Sequence, residues 1–302
     1  MFKVQPFRLP PQLDTQLHYK QPGFICGAMV GRKRSSGRQI RRHGARPRES
    51  WVEGRPDKLS ARRGRKQEEP YWIYGQHTVE AACANPDRQI LRILCTTDAI
   101  FPGHVLRPEF VDRRGLEEIL PIDAVHQGIA AQVMPLGNHD LETLLANKSD
   151  QGVVLVLDQI SDPRNVGAIL RSAAAFGSLA VIIQDRNAPK EGGALAKAAS
   201  GALETVPLVR VNNLARALDQ LADVGFWRHG LVLDSNQALN ELSLSGRVAL
   251  VLGAEDDGLR PLTQKNCDSL VHIPMSVATD SLNVSATAAI ALFLVYQSQT
   301  GN

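Results

Sequence analysis

Long apolar runs are missing from this chain of 302 residues, so no segment of it reads as a membrane-spanning helix. The stretch from Met1 to Met29 mixes Lys, Gln, Pro and Asp where a signal peptide needs continuous apolar residues. A protein that stays in the cytoplasm is therefore expected. Cysteine is scarce as well. Cys26, Cys83, Cys95 and Cys267 show no C-x-x-C spacing and no paired Cys/His cluster, so reduced thiols and no metal are expected. Two nucleotide-binding signatures are also absent: G-x-G-x-x-G, and a Gly-rich loop ending in Lys-Ser/Thr. A nicotinamide-type dinucleotide fold and hydrolysis of a nucleoside triphosphate both lose their support.

What is present suffices for about two domains, since 43% of the residues are hydrophobic. The formal charge of +3 hides a segregation along the chain. Residues 31–66 hold 14 basic and 3 acidic side chains, a net of +11, which leaves −8 for the remainder. Residues 31–70, dominated by Arg, Lys, Gly, Ser and Pro, offer too little apolar surface to offset the entropy of ordering. Residues 1–70 are thus expected to form a disordered basic arm, able to neutralise phosphates in a salt-dependent way. A solubilising extension is the alternative, and residues 1–28 differ enough in composition to be an upstream extension before Met29.

Order is expected from Tyr71 onward. A helical pattern runs from His77 to Ala84, and residues 90–95 alternate as a strand does. Residues 71–146 read as a small α/β domain, followed by a polar linker at 147–152. Near-continuous apolar runs at 153–157, 179–183, 206–211, 231–233, 248–252 and 270–273, separated by helical patterns, predict a parallel sheet covered on both faces over residues 152–299. Ligands bind such sheets at the carboxyl ends of the strands, which directs attention to the loops after Leu157, Leu252 and Ile273.

In the first loop Asn165 is a good N-cap by residue type and Gly177 a good helix stop. Those roles leave Arg171 unexplained, a charge within a run of small and apolar residues that must be solvated or paired in a site. In the second loop Gly253 and Gly258 permit a tight turn close to a ligand, and Glu255, Asp256 and Asp257 can be a site or a solvated turn. In the third, Ser281 or Asn283 would cap the last helix, which leaves the other free to address a ligand.

N-V-G-A-I-L-R-S-A at 165–173, L-V-L-G-A-E-D-D-G-L at 250–259 and I-P-M…S-L-N-V-S-A-T at 273–287 resemble the three motifs of the SPOUT (TrmH/SpoU-type) RNA ribose 2′-O-methyltransferases. K-A-A-S-G-A at 197–202 is similar to a further family segment, and the likeness covers about residues 71–298. It implies a trefoil-knotted α/β domain, an exception to the rule that connections do not thread one another. It also implies a homodimer, S-adenosyl-L-methionine held in the knot, and an L30e-like N-terminal RNA-binding domain. Residues 74–82 and 126–129 resemble that domain in the branch of the family that methylates a guanosine ribose of 23S ribosomal RNA.

By this resemblance Asn165 and Arg171 address the ribose and the adjacent phosphate, with Arg171 acting as base or as stabiliser of the developing alkoxide. Because Arg stays protonated, the electrostatic role is the easier one. Glu255, Ser281 and Asn283 complete the catalytic set, and Gly253, Ile273 and Leu282 contact the cofactor. Only RNA carries a 2′-hydroxyl, so DNA is not an expected substrate. His126 and Gln127 are read as structural or RNA-facing, His229 and His272 as ordinary core or surface residues. A transfer RNA substrate, or a non-catalytic role in ribosome assembly, stands as the alternative.

Overall fold

The computed structural model of the chain describes residues 69–99, 106–137, 139–146, 149–276 and 281–301, all within one unit that spans residues 61–302. The expected arm, apart from Glu69 and Pro70, lies outside the described residues, as do positions 147–148 of the expected linker.

Two sheets organise the chain. The first contains β1 (Tyr71–Tyr74), β2 (Ile90–Cys95), β3 (Glu109–Phe110) and β4 (Ile129–Val133) in the order β1-β4-β2-β3, with β4 antiparallel to both β1 and β2. The helices α1 (Gln76–Ala84) and α2 (Arg113–Glu117) accompany it, and α3 (Leu141–Leu145) leads toward the second sheet. There β5 (Gly152–Leu157), β6 (Ala180–Gln184), β7 (Leu208–Val211), β8 (Trp227–Leu231), β9 (Arg247–Leu252) and β10 (Ser269–Val271) stand in the order β10-β8-β9-β5-β6-β7, with every pairing parallel. The helices α4 (Pro163–Ala175), α5 (Gly193–Ala199), α6 (Leu214–Asp223), α7 (Pro261–Lys265) and α8 (Val284–Thr300) complete it.

The apolar runs explain this sheet, because a strand covered on both faces needs apolar residues at odd and even positions alike. Val153, Leu155 and Leu157 join one core cluster with the apolar stripes of α4 and α8, whereas Val154 and Val156 join another with Leu214, Leu218 and Leu221 of α6. The first cluster continues into Ile73, Val79, Ile93 and Val133, so one apolar core runs beneath both sheets.

Two expected boundaries need correction. The strand expected at 231–233 is β8, which occupies Trp227–Leu231 instead. Its polar residues meet the neighbouring edge: Arg228 pairs with Asp268, and His229 Nδ1 lies 2.7 Å from Ser269 Oγ, while His229 Nε2 is buried without a partner among the described residues. Asn165 is not the cap of α4. Asp162 takes that role, accepting the Arg164 N–H at 2.8 Å, with Pro163 opening the helix as its fixed φ allows.

The two sheets are also joined by charge. The fully buried guanidinium of Arg88 donates to Glu204 at 2.7–3.1 Å and to the Met134 carbonyl at 2.8 Å, and lies 3.5 Å from Glu191. The Tyr71 hydroxyl donates to Glu191, and Asn85 Nδ2 donates to Glu204 at 2.8 Å.

Candidate active site

All three inspected loops leave the carboxyl ends of β5, β9 and β10. Directly after β5, Asp158 is fully buried and grips the loop that follows β9. Its Oδ1 accepts Arg260 Nε at 2.8 Å and Nη2 at 2.7 Å, and its Oδ2 accepts the Arg260 N–H at 3.1 Å. Arg260 Nη2 also donates to Gln184 Oε1 at the end of β6. Inside this loop Gly253 is required by close approach, since a Cβ there would sit 2.1 Å from the Gly258 carbonyl carbon. The Gly258 N–H closes the turn onto the Ala254 carbonyl at 3.0 Å, with φ +63° at Gly258.

The turn carries Glu255 to the first turns of α4 and α8. Glu255 Oε1 accepts Asn283 Nδ2 at 2.6 Å, Asn165 Nδ2 at 3.1 Å and the Val284 N–H at 3.4 Å. Asn283 Nδ2 reaches Asn165 Oδ1 at 3.2 Å, while Asn283 Oδ1 caps α8 by accepting the Ser285 N–H. Capping and site geometry therefore fall on the same residue, contrary to the expected division between Ser281 and Asn283.

Beside this cluster opens a cleft of about 780 Å3, in the range of about 300–1,000 Å3 usual for small-molecule sites. Gly253, Ile273, Ser281 and Leu282 line it, so these expected positions share one wall system with Glu255. Arg171 is exposed further along α4, and among the described residues it makes no hydrogen bond or ion pair with the Asn165–Glu255–Asn283 cluster. The sequence reading missed Asp158, Asp162 and Arg260. A carboxylate directly after an apolar strand was the available signal for Asp158, but its partner lies 102 positions away.

The cleft wall contains groups that call for a polar ligand. His272 Nδ1 is buried there without a hydrogen-bond partner among the described residues. Among the described residues no acceptor engages the main-chain N–H of Gly253 or Ile273. Buried polar groups in folded proteins are paired with very few exceptions, so the His272 nitrogen is a polar group open to a ligand in the cleft. Among the described residues no group of His, Cys, Asp or Glu could hold a metal ion.

A model of the SpoU rRNA methylase family matches residues 152–293. Over 237 residues the chain is 38% identical to the 23S rRNA (guanosine-2′-O-)-methyltransferase RlmB of Photobacterium profundum, covering 73% of this chain and 95% of that one. The protein of the same name from Vibrio vulnificus is 46% identical over 174 residues, 56% of this chain and 70% of the relative. An uncharacterized tRNA/rRNA methyltransferase of Synechocystis is 39% identical over 241 residues, covering 74% of this chain and 62% of that longer relative. In fold, the chain is similar to the SpoU methyltransferase AviRb of Streptomyces viridochromogenes, solved in complex with AdoMet. The TM-score is 0.65 at 20% identity, covering 76% of this chain and 89% of that one. An AdoMet-bound rRNA methyltransferase of Sinorhizobium meliloti gives a TM-score of 0.63 at 20% identity, over 76% and 87% of the two chains. With a matching family model over its parallel sheet and a relative aligned along nearly its whole length, the chain belongs to the SpoU rRNA methylase family.

Proposed function

We propose that this chain transfers the methyl group of S-adenosyl-L-methionine to the ribose 2′-oxygen of a guanosine in 23S ribosomal RNA. The observation that carries this reading is the convergence of Asn165, Glu255 and Asn283, from three separate segments, into one hydrogen-bonded cluster on the rim of a cleft where His272 Nδ1 has no partner among the described residues. The activity named for the Photobacterium and Vibrio relatives supplies the substrate class.

When bound, S-adenosylmethionine supplies a methyl on a positively charged sulfur, which the 2′-oxygen takes while the sulfur leaves as a neutral thioether. The main-chain groups of Gly253 and Ile273, the side chain of Leu282 and the unpaired nitrogen of His272 suit the cofactor. Asn165 and Asn283 fix the carboxylate of Glu255. Its Oε1 is occupied by three donors, while its Oε2 has no partner among the described residues, which supports a role for Oε2 in receiving the hydroxyl proton. Ser281, on the cleft wall, helps orient the ribose. Arg171 stabilises charge on the 2′-oxygen and the adjacent phosphate, a role that suits a permanently protonated group. Holding the two reactants in line is itself worth roughly 7–11 kcal/mol of the barrier.

The finer reading divides the chain into a basic arm at 1–70, an L30e-like RNA-binding domain at 71–146 and a trefoil-knotted methyltransferase domain at 152–299, assembled as a homodimer in the cytoplasm. Among the described residues no helix is long and apolar enough to cross a membrane. The test is incubation of the purified chain with methyl-labelled S-adenosylmethionine and 23S rRNA, followed by digestion and mass spectrometry. Labelled 2′-O-methylguanosine is expected. Label confined to transfer RNA or to a base, or cofactor binding with no transfer at all, would overturn the reading.

A further inference from the structure

The segment at 197–202 resembles a family motif, yet the catalytic cluster makes no use of it. Lys197 of α5 lies at the junction of the two sheets, half-buried, and donates to Gln127 Oε1 at 3.1 Å. The same oxygen accepts the Gln76 N–H at 3.1 Å. The backbone around this ammonium is unusual. Gln127 and Gly128 have φ +54° and +78°, Gly75 has φ +91°, and the end of the Lys197 side chain packs directly against Gly75.

Left-handed backbone at a non-glycine residue is costly, and here it falls at Gln127, whose side chain holds the ammonium. Among the described residues no carboxylate forms an ion pair with Lys197, and burial pulls its pKa down. Arg164, exposed, immediately precedes the cluster residue Asn165, and its guanidinium is without a partner among the described residues. A desolvated ammonium held by one neutral amide favours an anionic ligand.

We infer that Lys197, with the side-chain amide N–H groups of Gln127, which have no partner among the described residues, binds a backbone phosphate of the substrate RNA and sets the register between the first sheet and the methyl-transfer rim. This rests on RNA being the substrate. Lysine meets phosphate as a compact point charge, so the contact positions the strand without reading its sequence.

The test is RNA affinity of the full chain at a series of salt concentrations, with S-adenosylmethionine affinity and the unfolding midpoint measured alongside. For Lys197→Met the slope of log affinity against log salt should become shallower by about 0.7–0.9, the value of one phosphate contact. Lys197→Arg should restore the slope, and cofactor affinity should stay unchanged. Gln127→Glu provides a second route: it gives the ammonium an internal carboxylate and should lower the slope with Lys197 in place. Unchanged slopes in both Lys197→Met and Gln127→Glu would overturn the inference and leave Lys197 as a structural tether. Wild-type protein that binds no RNA at any salt would sink the substrate reading itself, a distinguishable result.

Discussion

One amide carries two roles at the start of α8. Asn283 caps the helix through Oδ1 and holds Glu255 through Nδ2, and the two can be separated by substitution. Asp is as good an N-cap as Asn, so Asn283→Asp should keep the cap of α8, and its stability loss should come only from the carboxylate facing Glu255 and shrink at high salt. The new carboxylate would face Glu255 Oε1 in place of a donor, and methyl transfer should fall by about 10²–10³-fold, the range for loss of one positioned donor. Thermal melts and single-turnover methylation check the two halves independently. Arg171 is the complementary case. Exposed and uninvolved in the cluster, it can be changed to Ala at a stability cost within about 0.5 kcal/mol. RNA binding should persist in Arg171→Ala while transfer drops by orders of magnitude, and undiminished transfer would remove Arg171 from the site.

At the scale of elements, the site depends on how loops are pinned to strand ends. Asp158 has no exposure to solvent and its charge is matched only by Arg260, so Arg260→Ala leaves a buried carboxylate uncompensated. A loss of about 3–5 kcal/mol in urea unfolding is expected, together with weakened cofactor binding as the 253–258 turn comes free. The edge strand β10 is held to β8 in a similar way, by Arg228 Nη2 on Asp268 Oδ1 at 2.6 Å and by the Arg228 N–H on Asp268 Oδ2 at 2.8 Å. These contacts to Arg228 hold the Asp268 carboxyl below its ordinary range. The unfolded state then binds the proton first on acidification. The pair's contribution is therefore complete above about pH 4, the ordinary aspartate value, and is lost as pH falls through the lowered folded value. Asp268→Asn should lower stability at pH 7 by about 1–3 kcal/mol and flatten the acid limb of a melting-temperature profile between pH 7 and 3. An acid limb as steep as that of wild type would show that other carboxylates control it.

For the molecule as a whole, the interface between the sheets joins a continuous apolar core to a buried ionic network at Arg88. Arg88→Met strips Glu204 and Glu191 of their cation and should cost about 3–5 kcal/mol. Because the network spans the two sheets, the loss should be regional: hydrogen exchange should accelerate in β1 and β4 before it does in β5 and β9. Replacing Arg88 and Glu204 together by Met and Leu should recover much of the stability, since a well-packed apolar pair escapes the desolvation penalty. Failure of the double variant to recover would mean that hydrogen bonds such as the one from Asn85 to Glu204 matter more than the charges.

Much of this was legible from the chain alone. Apolar runs located β5, β6 and β9 to within two residues, the alternation with helices predicted a parallel sheet, and the loops after Leu157, Leu252 and Ile273 held the candidate residues. Periodicity, capping and turn chemistry are decided by neighbours within a turn or two, which is why they can be read locally. What local reading could not supply was partnership. Asn165 looked like a cap because nothing in its surroundings revealed Glu255, 90 positions on, or Asn283, 118 positions on. The strand expected at 231–233 lies at Trp227–Leu231 because Asp268 and Ser269, which meet Arg228 and His229, belong to the next strand region. Arg88 and Lys197 were two more charges in a charged chain until tertiary packing removed their water and chose what faced them. Desolvation and pairing across strand order are properties of the folded assembly, and a linear sequence carries the groups but not their distances.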